Sequence, residues 1–319
     1  MAHAQSTEVF FIVDGLRLEA QACLLAPSLK RHLMPHQRAV AYLREDYLPK
    51  LDEFTVDVLA ASDVETRVIA DTNGGHAPWL SPYPHGNKIL AAAMPRDCEI
   101  SVFLDTDTIL TEPVDFAQEL GGALIAACVS DYASSAGTQE DWEAFYAAYS
   151  LPLPKDRVQL NGGRRLWSLP YFNAGVIVFR ERTIDGIPLE VGRDWLHTAM
   201  HFEREVTRDY GRSNIDQFTL PILGYLRKMP VKSMGQHMNF NIQAFGDGEG
   251  QPQSVAHYHR IGALWKHKVH GREALDTLAE IAGRRAPETF LEVFGLEARR
   301  KNMKHHLRAM AEEALSEAA

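Results

Sequence analysis

Short apolar runs that alternate with helically spaced stretches restrict this chain to an α/β layer. The segments "EVFFIVDG" (8–15), "FTVDVLA" (54–60), "ISVFLD" (100–105), "GALIAACV" (122–129), "AGVIVF" (174–179) and "SVAHYH" (254–259) read as strands. Between several of them lie helical candidates: "LRLEAQACLLAPSLKRHL" (16–33), interrupted at Pro27, then "GNKILAAAM" (86–94) and "NIDQFTLPILGYL" (214–226). Such alternation implies a largely parallel sheet with helices on its faces. At 319 residues the chain is long enough for one large domain and an appendage. The texture turns helix-rich and charged near residue 270, so the expected organisation is an α/β domain over 1–270 and a helical C-terminal appendage over 271–319.

No apolar run approaches the roughly 18 residues that cross a bilayer, and the opening "MAHAQSTEVFFIVDG" lacks the order of a signal peptide. A cytoplasmic location is therefore expected. Cys23, Cys98 and Cys128 show no paired spacing and read as buried free thiols. Lys and Arg number 33 against 42 Asp and Glu, a net charge of −9 that argues against a nucleic-acid partner.

The stretch "VFLDTDTIL" ends a buried strand in two aspartates, Asp105 and Asp107. Ligands of open α/β sheets bind at the carboxyl ends of strands. On an extended chain residues two apart point to the same side, so both carboxylates could hold one hard cation such as Mg²⁺ or Mn²⁺. A capping or turn role is the competing reading. The same pair resembles the nucleophile and acid of haloacid-dehalogenase phosphatases, and "FGDGEG" (245–250) resembles their late acidic loop, but Ile109 stands where that pattern wants Thr or Val.

Four more stretches surround the pair in a consistent order: "PHGNKILAAAM" (84–94), "YFNAGVIVFR" (171–180), "SNIDQFTLPIL" (213–223) and "VAHYHRIGALWK" (255–266). Together they resemble glycosyltransferase family 8, which includes glycogenin, galactinol synthase and bacterial lipopolysaccharide glucosyl- and galactosyltransferases. The resemblance covers roughly residues 8 to 268. It implies a GT-A fold, a UDP-sugar donor, Mn²⁺ or Mg²⁺, and transfer of a hexose with retention to a carbohydrate or glycolipid acceptor. It makes Asp105, Asp107 and His259 the metal ligands, with His257 as the alternative, since two histidines on one strand face cannot be told apart by sequence. It puts Asp105 near the ribose, Asp14 against the base, and Lys88 and Lys266 toward the donor phosphates. Asn173, Asp216 and Gln217 fall beside the reacting sugar and acceptor. The aromatic that often stacks on the base is replaced here by "GLRL", leaving Arg17 for that place. An inverting GT-A transferase, a sugar-nucleotide pyrophosphorylase and, more remotely, the phosphatase are the alternatives.

Two further features have bland readings beside the functional ones. Lys88 reads equally as a solvated helix lysine. Arg300, Lys304 and Arg308 form a basic stripe that allows weak peripheral contact with the inner face of a membrane, or simply a solvated helix.

Overall fold

A computed structural model describes residues 5–70, 79–132, 138–162, 166–206, 214–248 and 250–294. The basic stripe at 300–308 lies outside the described residues. The fold is α/β, a mostly parallel central sheet flanked by helices. Its strands are β1 (Thr7–Ile12), β2 (Gln37–Leu43), β3 (Val64–Val68), β4 (Ile100–Leu104), β5 (Thr108–Leu110), β6 (Ile125–Val129), β7 (Val158–Gln159), β8 (Trp167–Ser168), β9 (Phe172–Arg180), β10 (Lys232–Met234), β11 (Phe240–Asn241) and β12 (Val255–His257). The described helices are α1 (Leu16–His32), α2 (Glu53–Ala61), α3 (Gly86–Ala92), α4 (Phe116–Leu120), α5 (Gln139–Ala147), α6 (Val191–Glu205), α7 (Ile215–Leu226), α8 (Ile242–Phe245), α9 (Ile261–Leu264), α10 (His270–Ala282) and α11 (Ala286–Phe294).

The chain divides into two compact units, each built from separate segments. The first comprises Met1–Glu8, Ile69–Phe103 and Asp115–Gln236, and the second Val9–Val68, Leu104–Val114 and His237–Ala319.

In the first unit the strand order is β10-β6-β9-β4, with β6 parallel to β10 and antiparallel to β9. An aromatic core fills the space between α5, α6, α7 and β9. Trp142, Phe145, Phe202 and Phe218 meet there at ring separations of 4.9 to 6.0 Å, within the range where edge and offset contacts add to burial. Helices α3 and α6 approach so closely that a Cβ on Gly192 would sit 1.8 Å from the Ala92 carbonyl oxygen. Backbone on both sides leaves nothing flexible to yield. Gly192→Ala should therefore destabilise by about 3 kcal/mol and lower Tm by roughly 4–5 °C, read by thermal unfolding; a wild-type Tm would contradict this packing.

The second unit orders its strands β1-β2-β3, with β1 fully buried and β3 exposing Glu65 and Thr66, and adds a small sheet β11-β12-β5. Two sequence readings are corrected here. "FTVDVLA" is helix α2, not a strand: the Asp52 side chain accepts from the Phe54 N–H as N-cap, and Thr55, Val58 and Leu59 bury one helical face. Helix α1 runs through Pro27 instead of breaking there, because Glu19 to Leu29 are buried without interruption and tertiary packing outweighs the lost N–H. Helices α10 and α11 pack into the same core, where Ala274, Leu275, Leu278, Phe290 and Phe294 join Leu24, Val58, Ile109 and Tyr258.

Among the described residues no helix is long and apolar enough to cross a membrane. Cys23, Cys98 and Cys128 are free and buried, and burial pushes the thiols of Cys23 up to about 12 and Cys98 up to about 11. They are inert structural residues.

Candidate metal and donor site

The end of β4 does not continue as a strand through the two aspartates. The Thr108 N–H and hydroxyl both return to the Asp105 carbonyl, at 3.1 and 2.7 Å, closing a four-residue turn. The Thr106 hydroxyl pins that turn to the Ile12 carbonyl at 2.6 Å. Asp105 and Asp107 thus lie in a turn, and the alternation argument for a shared side does not apply to them.

Antiparallel pairing of β5 with β12 then selects what stands beside Asp107. The register places Ala256 opposite Ile109 and His257 opposite Thr108, and the Tyr258 N–H donates to the Asp107 carbonyl at 3.0 Å. Tyr258 is fully buried and seats this corner in the hydrophobic core, leaving the imidazoles on either side to point elsewhere. His259 follows in the left-handed region at φ 52°, a conformation that costs a non-glycine residue roughly 1–2 kcal/mol. Its carbonyl accepts from Arg17 Nη2 at 2.8 Å, which engages the guanidinium that sequence had left for base stacking.

The result is a compact cluster: one ligand atom each of Asp107, His257 and His259 lies within 4.8 Å of the others. Both candidate histidines are present, their rings 3.8 Å apart. The Asp105 carboxylate is not part of that cluster. His257 Nε2 is 3.0 Å from Asp107 Oδ1, and its Nδ1 is 2.8 Å from Asn239 Oδ1. If Nδ1–H donates to Asn239, the Nε2 lone pair faces a carboxylate oxygen. Two acceptors at that distance require a cation between or beside them, a proton or a metal.

Burial raises the Asp107 carboxyl, but the charge and hydrogen bond of His257, helped by His259, overcome this and hold it well below the usual carboxylate range. Burial, then His257, with Arg17 and Arg260 adding to it, brings the His259 imidazole down to about 3 against the pull of Asp107. An ionised carboxylate and a neutral imidazole are the ligating forms. The folded chain keeps His259 neutral where the unfolded chain protonates it, so stability is whole above the ordinary value of 6.5 and is lost as pH falls toward 3. His259→Asn should make that acid limb shallower in metal-free protein; an unchanged slope would contradict the buried, neutral imidazole.

The first unit holds a second polar group, around Lys88. Helix α3 buries this lysine to 6% exposure, which excludes the solvated reading. Its Nζ lies 3.1 Å from Asp216 Oδ2, donates to the Ala174 carbonyl at 3.2 Å, and sits 5.0 Å above the Phe103 ring. Asp216, in the first turn of α7, also accepts from the Tyr83 hydroxyl at 3.2 Å. Asn173 turns its Oδ1 back to the Gly175 N–H at 2.7 Å, bending the start of β9 beside that carbonyl. Gln217 follows Asp216 on α7 and is half-buried.

Asp14 lies two residues beyond β1 in the second unit, and the Tyr47 hydroxyl bonds to buried Glu19 nearby. Lys266 lines a cleft with Asp247 and His267 that none of Asp107, His257 and His259 lines. Sequence reasoning missed Tyr83, Asn239 and Glu19. Tyr83 immediately precedes the stretch "PHGNKILAAAM" (84–94), but nothing local marks a tyrosine as the partner of an aspartate far along the chain.

Residues 9–224 match the family model described as the Rhodobacterales glycosyltransferase domain, more than half of the chain. No curated protein matches the sequence. Among solved structures, the bifunctional glycosyltransferase WbbM in its apo form aligns with 14% identity and a TM-score of 0.56, over 92% of this chain and 52% of that one. The chain thus spans about half the length of WbbM. An active-site mutant of LgtC aligns with 16% identity and a TM-score of 0.50, over 91% of this chain and 95% of that one. At such identities the likeness speaks for the fold, while the family model speaks for the activity and removes the phosphatase reading. The chain belongs to the Rhodobacterales glycosyltransferase domain family and is a glycosyltransferase of GT-A fold.

Proposed function

We propose that this enzyme is a metal-dependent, retaining hexosyltransferase that uses a UDP-sugar donor and a carbohydrate or glycolipid hydroxyl as acceptor. The observation that carries the reading is the Asp107–His257–His259 cluster, in which His257 Nε2 lies 3.0 Å from Asp107 Oδ1. Mixed imidazole and carboxylate ligands suit Mn²⁺ better than Mg²⁺, which favours an all-oxygen shell. When bound, the ion supplies Lewis-acid neutralisation of the charge that develops on the departing diphosphate.

The chain's own residues have these roles in the proposal. Asn239 fixes the tautomer of His257, and the Arg17 bond to the His259 carbonyl holds that ligand's backbone in its left-handed turn. Asp105 is assigned the donor ribose and Asp14 the base. Lys88 supplies fixed positive charge while Asp216 holds its ammonium in place. Asn173 and Gln217 orient the sugar and the acceptor hydroxyl. Asp216 is already engaged by Lys88 and Tyr83, which makes it a poor nucleophile and favours same-face attack assisted by the diphosphate.

Asn239→Ala should weaken Mn²⁺ binding by about 10–100-fold, the usual effect of removing a partner behind a metal ligand. The functional reading itself is tested by incubating the enzyme with UDP-, GDP-, ADP- and CMP-sugars, Mn²⁺ and a glycan acceptor panel. The expected product retains the donor's anomeric configuration by NMR and accompanies stoichiometric UDP release. Inversion would discard the retaining mechanism, and pyrophosphate release would point to a pyrophosphorylase.

A further inference from the structure

The second unit contains a cleft of about 420 Å³ lined by Gln243, Asp247, Arg260, Lys266 and His267, among others. That volume lies in the range of small-molecule sites. His267 brings an unused donor to it. Its Nδ1 accepts from the backbone N–H groups of Val269 and His270, at 3.3 and 3.1 Å, so the neutral ring carries its proton on Nε2. This Nε2 is buried without a hydrogen-bond partner, on a side chain only 3% exposed. The ring cannot swing away, because it stacks on His270 at 4.1 Å, and His270 is held by Gln253 at 2.6 Å and Glu273 at 3.0 Å.

Asp247 Oδ1 lies 3.9 Å from that Nε2. The gap is too long for a direct hydrogen bond and suits one bridging oxygen. Such an oxygen must accept from the imidazole N–H and donate to the carboxylate, which a sugar hydroxyl or a water does and a carbonyl or fully ionised phosphate oxygen does not. Asp247 itself is fixed by the Lys268 N–H at 3.0 Å, with Lys268 Nζ at 3.4 Å offsetting its charge. Arg260 and Lys266 add two positive charges to the cleft lining, and among the described residues neither is paired with a carboxylate. The lining therefore asks for a hydroxyl at one place and an anion at another.

We propose that this cleft binds a sugar unit carrying an acidic group, with a hydroxyl bridging His267 and Asp247 and the acid against Arg260 and Lys266. Resting on the transferase reading above, the bound unit is part of an acidic acceptor glycan, and Lys266 serves that glycan, not the donor diphosphate.

The test is calorimetric titration of the full-length protein, free of metal and nucleotide, with glucuronic acid, glucose 6-phosphate, glucose and inorganic phosphate. At least one acidic sugar should bind tenfold or more tighter than both glucose and phosphate, and Asp247→Ala and Arg260→Ala should each remove at least tenfold of that affinity. The two acidic sugars separate a uronic acid from a sugar phosphate as the source of the charge. Phosphate binding as tightly as glucose 6-phosphate would reduce the cleft to an oxyanion site, and no preference for acidic sugars would overturn the proposal outright. Competition by UDP with Mn²⁺ would assign the cleft to the donor and equally overturn it. The wild-type panel decides even if a variant misfolds. Failure of the donor reading would show instead as loss of UDP and Mn²⁺ binding with this panel intact.

Discussion

Replacing Asp107 with Asn is expected to lower kcat/KM for sugar transfer by at least about 10²–10³-fold, the effect of removing one fixed electrostatic partner of a developing charge. The substitution keeps the shape of the side chain and removes only its charge. The Tyr258 N–H bonds to the Asp107 backbone carbonyl, so the β5–β12 corner should stay folded. What changes is the demand at His257 Nε2, which would face an amide in place of a carboxylate held ionised. Raising Mn²⁺ should recover part of the activity if the loss is one of ion affinity. Activity close to wild type at limiting metal would separate this cluster from the chemistry.

Breaking the Lys88–Asp216 pair carries the largest expected cost in stability. Both side chains are nearly inaccessible, at 7% and 4% exposure, so an orphaned charge cannot be rescued by water. Lys88→Met should cost about 3–5 kcal/mol and roughly 4–8 °C in Tm, because Asp216 would be left with only the Tyr83 hydroxyl and its own helix start. The double variant Lys88→Met with Asp216→Leu should recover at least half of that loss, since a buried pair replaced by apolar groups is often neutral. Transfer activity decides what the pair is for. If the double variant is stable and still at least about 10²-fold impaired, the pair belongs to the site. A stable and active double variant would make it scaffolding and remove both residues from the proposed mechanism.

Much of the architecture was readable from alternation alone, because buried strands such as "ISVFLD" and "AGVIVF" are short apolar runs bounded by turn residues. Helix α2 was not. Its Phe, Thr and two Val residues have strand preferences, and what decides the matter is the Asp52 cap and a helical face that finds its partners in α1 and α10. Pro27 misled for the same reason: a local penalty is outweighed by burial that sequence does not display.

The site was legible in its residue types and less so in its geometry. Asp107 and both histidines were named, but the choice between His257 and His259 depended on where β12 ends and on one left-handed residue, so the chain turns and brings both to Asp107. The turn at Asp105–Thr108 likewise depends on hydroxyl bonds that a period-two argument cannot see. Asn239 and Tyr83 act across long sequence separations, and only the fold identifies them.

The central claim is that Asp107, His257 and His259 hold a divalent ion that the donor nucleotide needs. Calorimetric titration of UDP into wild-type enzyme and Asp107→Asn, each with and without Mn²⁺, tests it most directly. The account predicts that UDP binds wild type at least tenfold tighter with Mn²⁺ than without, and that the metal gives the variant no such gain. Equal UDP affinity in all four titrations, or a metal gain that survives in Asp107→Asn, would contradict it.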